Sequence, residues 1–227
     1  MKIFILCGGF GTRLDNEGKI RAKPLVQIGN EPILIHIIRN FCDQGFNEFV
    51  LCLGYNSESI IDYFLKNKKN KIKIILRKKN YISFEFIAKN LKFKGHLIFT
   101  GINTGTGGRI LLAYKALKID EDFFMTYGDG LANVNIKKLI KFHYKKKSLV
   151  TLTAVRPKQR YGVIKLFRDK VNYFDNSKKN SDVYINGGFF VISKDSIKII
   201  KNKTIYWEKE PLNYYIQKKK LFAFKHN

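Results

Sequence analysis

At 227 residues the chain has the size of one self-sufficient domain, and no apolar run approaches membrane-spanning length. Its 43 basic against 18 acidic residues give a formal charge of +25. The lysines are scattered among abundant Ile and Asn, without helix-turn-helix, zinc or RNA-binding patterns. That argues against nucleic acid as a partner and leaves compositional bias and small polyanions as sources of the charge. Cys7, Cys42 and Cys52 sit in apolar stretches without metal or CxxC spacing, and the first apolar run is too short for a signal peptide. A soluble, cytoplasmic chain with reduced core thiols and no membrane partner is the expectation.

In chain order, KIFILC reads as a buried strand from its β-branched and aromatic content. Pro32 to Cys42 place Ile33, Leu34, Ile37, Ile38 and Phe41 on one helical stripe, with Gly45 as a stop. Strands follow at Glu48 to Leu53, Lys71 to Leu76 and His96 to Thr100, with helices at Ser57 to Leu65 and Gly107 to Leu117. DFFMTYGDG holds a strand ending in a turn, and Asn135 to Tyr144 form the next helix. Alternation of buried strands and helices predicts an α/β fold: a Rossmann-like mixed, mainly parallel sheet with helices on both faces. After Ser148 the segments LVTLTAV, GVIKLF, KVNYF and INGGFFVI are strand-like and are expected to extend the same sheet. Helices near Asp195 to Lys201 and Trp207 to Gln217 and a last strand, LFAF, complete the chain.

Three loops carry chemistry. GGFGTRL (Gly8 to Leu14) follows the first strand, where open parallel sheets bind ligands. It lacks the third glycine of a dinucleotide fingerprint and the glycine–lysine spacing of a Walker A loop. Its glycines still admit a phosphate to the backbone, Thr12 and Arg13 add a hydroxyl and a forked cation, and Lys23-Pro24 holds a second cation nearby. Two cations on one glycine loop suit a triphosphate under attack. In TYGDG, Asp129 stands at a strand end between glycines, a place for a Mg²⁺ ion that keeps its waters. TGTGGR (Thr104 to Arg109) opens a helix and offers backbone groups to a base or phosphate. His36, His96, His143 and His226 lack spacing for metal or triad chemistry and read as structural or surface residues.

GGFGTRL, Lys23-Pro24, TGTGGR, YGDG, INGGFFVI and WEKEPL occur in the order found in sugar-phosphate nucleotidyltransferases. The chain most resembles the glucose-1-phosphate cytidylyltransferase branch of that family. The resemblance implies attack of an acceptor phosphate on the α-phosphorus of CTP, with Mg²⁺ (or Mn²⁺) as cofactor, release of pyrophosphate and a CDP-linked product. It assigns catalysis to Arg13 and Lys23, and metal binding to Asp129. Nucleotide binding falls to Leu6, Gly8, Gly9, Gly11, Thr12, Arg13, Lys23, Thr106, Gly107, Gly108 and Asp129. Tyr127, Gly162, Asn186, Gly187 and Glu210 would face the acceptor. Residues 1–147 would form the nucleotide-binding part and 148–227 the acceptor-binding part of one domain, in a chain that could form a homo-oligomer.

The chain departs from that pattern at two points. Members of the branch carry Glu-Lys-Pro shortly before INGG, whose lysine meets the acceptor phosphate; here Asn176-Ser177-Lys178 fills the place, with Lys178 or Lys179 as a shifted substitute. The resemblance also implies a further metal aspartate beyond the last strand, after Lys225-His226-Asn227. With Asp129 as the lone carboxylate, the expectation is that the chain binds CTP but turns it over slowly. Glucose 1-phosphate or a similar sugar phosphate is the first expected acceptor, for capsule or lipopolysaccharide biosynthesis. The altered acceptor site keeps phosphoglutamine open as a second, giving CDP-glutamine for capsule phosphoramidate. A basic binding protein that retains the fold without catalysis is the third reading.

Overall fold

Strand β1 (Ile3–Cys7) is apolar throughout, and both of its faces are covered. Ile3, Ile5 and Cys7 face a layer containing Leu34, Phe41, Phe64 and Leu139, while Phe4 and Leu6 face a second layer containing Ile110, Trp207 and Tyr215. The computed structural model describes residues 1–9, 12–14, 20–66, 71–88, 90–157, 163–167, 170–175 and 183–226. Beyond β1 come the ribbon β2 (Thr12–Leu14) with β3 (Ile20–Ala22), a 3₁₀ turn at Lys23–Leu25, and the ribbon β4 (Gln27–Ile28) with β5 (Glu31–Pro32). Helix α1 (Ile33–Cys42), β6 (Glu48–Leu53) and α2 (Ser57–Leu65) precede three strands, β7 (Lys71–Lys78), β8 (Tyr81–Ala88) and β9 (Leu91–Phe99). Helix α3 (Thr106–Ala116), β10 (Phe123–Tyr127) and α4 (Ile136–Lys145) follow. The later part holds β11 (Val150–Val155), β12 (Val163–Phe167), β13 (Lys170–Asp175), β14 (Ile185–Ile192), a 3₁₀ segment at Lys194–Ile199, α5 (Glu210–Gln217) and β15 (Leu221–His226).

Nine strands form one sheet in the order β15-β11-β14-β10-β1-β6-β9-β8-β7. Its centre, β10-β1-β6-β9, is parallel, as is the β11–β15 pair. Strand β14 runs antiparallel to both β10 and β11, and β7 to β9 form an antiparallel meander. The carboxyl ends of β1, β6, β9, β10, β11 and β15 therefore all point to the same end of the molecule.

Beyond the two unexpected ribbons, a 3₁₀ segment at Lys194–Ile199 where a helix was expected, and a β9 that starts at Leu91 ahead of the expected His96, the sequence-based outline meets three larger differences. Strand β8 was not expected. Ile82, Phe84 and Phe86 point into the core, and Ser83 is buried as well because its hydroxyl bonds His96 Nδ1 at 2.7 Å. Opposite Phe84 stands Gly95, where a Cβ would enter the phenyl ring. Strands β12 and β13 do not extend the sheet; among the described residues they pair only with each other, since β14 and β15 already occupy both edges of β11. The helix expected from Trp207 begins only at Glu210, with Pro211 in its first turn, because the Trp207 N–H donates instead to Thr106 Oγ1 at 2.8 Å.

Candidate active site

A cleft of about 500 Å³ opens at the carboxyl ends of β1 and β10. Its walls are the loop after β1 (Leu6 to Gly9), Lys23-Pro24, the stretch from Ile102 to Thr106, the turn Tyr127 to Asp129, and Thr204 with Tyr206. Leu6, Gly8, Gly9, Lys23, Thr106, Tyr127 and Asp129 of the expected site residues thus share one cavity.

Packing explains why Lys23 meets Asp129. The 3₁₀ turn buries Pro24 against Gly128, where a Cβ would lie 2.8 Å from Pro24 Cγ and 3.1 Å from Cys7 Sγ. The Gly128 N–H donates to Leu6 O at 3.0 Å, which fastens the turn to β1. Gly128 therefore makes room for proline, while space remains around Gly130. The result is an ion pair of 3.5 Å between Lys23 Nζ and Asp129 Oδ2, with the two side chains 40% and 48% exposed. A partly exposed pair of this kind adds little stability, so each partner can be exchanged for a ligand at small cost. Asp129 is the sole carboxylate among the described lining residues, and no three His, Cys, Asp or Glu gather elsewhere among them. One hard carboxylate beside a phosphate-sized space fits a divalent ion that takes its other ligands from water and phosphate oxygens.

Arg109 is the residue that sequence reasoning quoted but left without a role. Only 4% exposed, its guanidinium donates to Gly8 O at 2.7 Å, Leu53 O at 3.2 Å, Thr100 Oγ1 at 2.6 Å, Gly101 O at 2.7 Å and Ile102 O at 3.1 Å. It lies between Gly8 and Gly54, and a Cβ on either would overlap its nitrogens. Gly8 is thus required to make room for this cation. No carboxylate pairs with Arg109 among the described residues, and burial lowers its pKa from the ordinary arginine value. Its charge faces the glycine loop, where an anion would offset it. The signal in the sequence was the arginine closing TGTGGR, with a lone glycine ending the β6 strand motif.

The same helix start corrects a second expectation. The N–H groups of Gly105 and Gly108 donate to Lys203 O at 2.9 Å and Ile205 O at 3.1 Å. A Cβ on Gly107 or Gly108 would meet the backbone of that segment. Gly107 and Gly108 therefore admit residues 203–207 across α3 and do not line the cleft. Thr106 does line it, and its hydroxyl donates to Glu208 Oε2 at 2.5 Å. Tyr127 donates to the other oxygen of Glu208, and burial together with that carboxylate drives the Tyr127 pKa upward. Asn186 lies beside the same phenol and accepts from Gly188 N–H at 2.9 Å. Within WEKEPL it is Glu208 that reaches the expected acceptor residue Tyr127; Glu210 is exposed at the start of α5. Gly187 packs at Thr153 Oγ1, where a Cβ would come within 2.5 Å.

Arg13 and Thr12 are in β2, but their side chains lie outside the described set; so do Gly11, Gly162 and residues 176–179. The histidines read as structural or surface residues do take structural partners: His36 bonds Ile28 O, His96 joins Ser83 to Glu48, and His143 joins Thr151 to Ser193. Cys7, Cys42 and Cys52 are free thiols.

The pattern of the nucleotidyl transferase family matches residues 2–221. The chain belongs to that family. This nucleotidyltransferase is 37% identical to glucose-1-phosphate cytidylyltransferase of Salmonella typhimurium over 227 residues, covering 100% of this chain and 88% of the relative. It is 36% identical to a probable glucose-1-phosphate cytidylyltransferase of Bacillus subtilis over the same span and the same shares. Among solved structures, HddC from Yersinia pseudotuberculosis superposes with a TM-score of 0.69 at 25% identity, covering 99% of this chain and 89% of HddC. HddC has also been solved complexed with GMP-PN. The structural neighbours share the mixed α/β sheet described above.

Proposed function

We propose that this nucleotidyltransferase transfers CMP from CTP to a sugar 1-phosphate, glucose 1-phosphate or one like it. An oxygen of the acceptor phosphate attacks the α-phosphorus of CTP, the bond to the β-phosphate breaks, and pyrophosphate leaves. The observation that carries the reading is the Lys23–Asp129 pair at 3.5 Å, set between the glycine loop and the end of β10. Lys23 would turn to the oxygens of an entering triphosphate, and Asp129 is the residue that would hold a divalent ion, Mg²⁺ or Mn²⁺. That ion would neutralise phosphate charge and so assist departure of pyrophosphate. Arg109 fixes Gly8 from behind and adds positive potential beneath the phosphates, and Arg13 is proposed as the second cation on them. Tyr127, Asn186 and Glu208 offer the donors and acceptors that sugar hydroxyls require. CTP as base donor and glucose 1-phosphate as acceptor draw support from the full-length likeness to the cytidylyltransferases. The CDP-sugar would serve capsule or lipopolysaccharide assembly in the cytoplasm; no described helix is long and apolar enough to cross a membrane.

The test is a pyrophosphate-release assay crossing CTP, UTP, dTTP and GTP with phosphorylated acceptors, with and without Mg²⁺ or Mn²⁺. Metal-dependent release with CTP and a sugar 1-phosphate is expected. A preference for GTP would overturn the base assignment, and CTP binding without release under any pairing would point to a binding protein.

A further inference from the structure

Two cations converge on one aromatic ring at the acceptor end of the sheet. Arg156, just past β11, places its guanidinium carbon 5.2 Å from the centroid of Tyr184, and its Nε donates to the Tyr184 hydroxyl at 3.1 Å. Lys225, near the end of β15, sets its Nζ 5.2 Å from the same centroid. Hydrogen bonding from Arg156, followed by the two positive charges, lowers the Tyr184 pKa below the ordinary phenol value. Neither cation has a carboxylate partner among the described residues. Like charges on neighbouring strands repel, and the ring offsets only part of that cost.

The strand register sets the trio beside Asn186, the neighbour of the cleft residue Tyr127. Ala154 pairs with Asn186 and with Lys225, and Val155 with Ile185 and His226, so the ends of β11 and β15 lie level with the start of β14, beside the expected acceptor residue Asn186. Leu221 and Leu152 pack in the same layer as Trp207, the residue next to Glu208, and alternation along β15 keeps Lys225 on the side of Leu221. Tyr184 precedes Asn186 by two residues, roughly 7 Å of extended chain. A neutral hexose held at Asn186 gives these charges nothing to bind. Resting on the reading of this cleft as a phosphorylated-acceptor site, we propose that Arg156, Tyr184 and Lys225 form an anion subsite for a second acidic group of the acceptor, a carboxylate or a further phosphate.

The experiment compares three probes on one sugar skeleton: glucose 1-phosphate, glucuronic acid 1-phosphate and glucose 1,6-bisphosphate. Their binding is measured by calorimetry with a non-hydrolysable CTP analogue present, on the full chain and on an Arg156→Gln/Lys225→Met double variant. At least one charged probe is expected to bind the wild type about 10-fold or more tightly than glucose 1-phosphate, as charge-assisted bonds allow. The carboxylate and phosphate arms tell the two sources apart. The double variant should lose that preference while keeping its affinity for glucose 1-phosphate and for the CTP analogue. All substitutions are on the surface, so melting should be unchanged. Equal binding of the three probes by the wild type, no detectable binding of either charged probe, or a preference that survives in the variant overturns the subsite. Failure of the CTP analogue to bind, by contrast, overturns the functional reading itself.

Discussion

At the cleft end of the sheet, the loops after β1, β6 and β9 converge on the Arg109 guanidinium, whereas at the opposite end α4, the start of β11 and the end of β14 meet at the His143 imidazole. Arg109 makes five donor bonds, mostly to loop carbonyls, and carries its charge at every working pH. His143, 1% exposed, bonds Thr151 Oγ1 at 2.9 Å and Ser193 Oγ at 3.1 Å, and burial holds its pKa below the ordinary imidazole value. A permanent cation ties carbonyls together and projects potential toward an incoming anion. A neutral ring ties hydroxyls together and projects almost none. The end of the sheet that carries the cleft is thus charged in its frame.

Four measurements would break or sharpen this contrast. The largest effect is expected for Lys23→Ala, which should lower turnover ~10²–10³-fold, about 3–4 kcal/mol, with melting nearly unchanged. A matching loss of thermal stability would place Lys23 in the frame instead. Arg109→Met removes the guanidinium bonds to the Gly8, Gly101 and Ile102 carbonyls. It should cost about 3 kcal/mol in denaturant unfolding and weaken CTP binding, with Arg109→Lys intermediate because it keeps charge but not the fork. A loss below about 1 kcal/mol would mean that water can take the place of the guanidinium. Gly54→Ala pushes a methyl into that guanidinium and should cost about 1–3 kcal/mol, whereas Gly130→Ala, with open space around it, should stay within about 0.5 kcal/mol. Comparable unfolding curves for the two alanine variants would contradict the wedge.

The smallest effect concerns pH. A folded His143 held below the ordinary value of 6.5 stays neutral while the unfolded chain takes up a proton. Stability from this group is complete above about 6.5 and declines as pH falls toward the lower folded value. His96, also lowered by burial, acts in the same direction. Unfolding free energy followed between pH 7.5 and 5 should therefore fall, with a shallower slope in His143→Gln. An identical slope would show that His143 is not one of the titrating groups.

Much of this could be read from the residues. The central strands and helices betrayed themselves by period, and Glu48–Leu53 and Ser57–Leu65 match their sequence-based bounds. Strand β8 was missed although Ile82, Phe84 and Phe86 alternate, because burial of Ser83 depends on a histidine on the next strand. That Lys23 and Asp129 stand on neighbouring turns was legible because proline and glycine mark those turns. Arg109 and Glu208 were not assigned, since both act through backbone and hydroxyl groups far away in sequence. The glycines of TGTGGR looked like ligand contacts, yet Gly107 and Gly108 yield space to residues 203–207. A glycine records a close approach without naming what approaches.

The clasp of residues 203–207 over the start of α3 also sets an order of events during synthesis. Thr106 and Gly108 emerge about a hundred residues before the Trp207 N–H and the Ile205 carbonyl that complete their bonds. Strand β10 likewise waits for β14 to cover its outer edge. A nascent chain that has delivered the glycine loop, Lys23 and Asp129 therefore holds an unfinished pocket, with helix-start N–H groups still facing water. The cleft at the ends of β1 and β10 is complete only once residues 203–207 have folded back onto the start of α3.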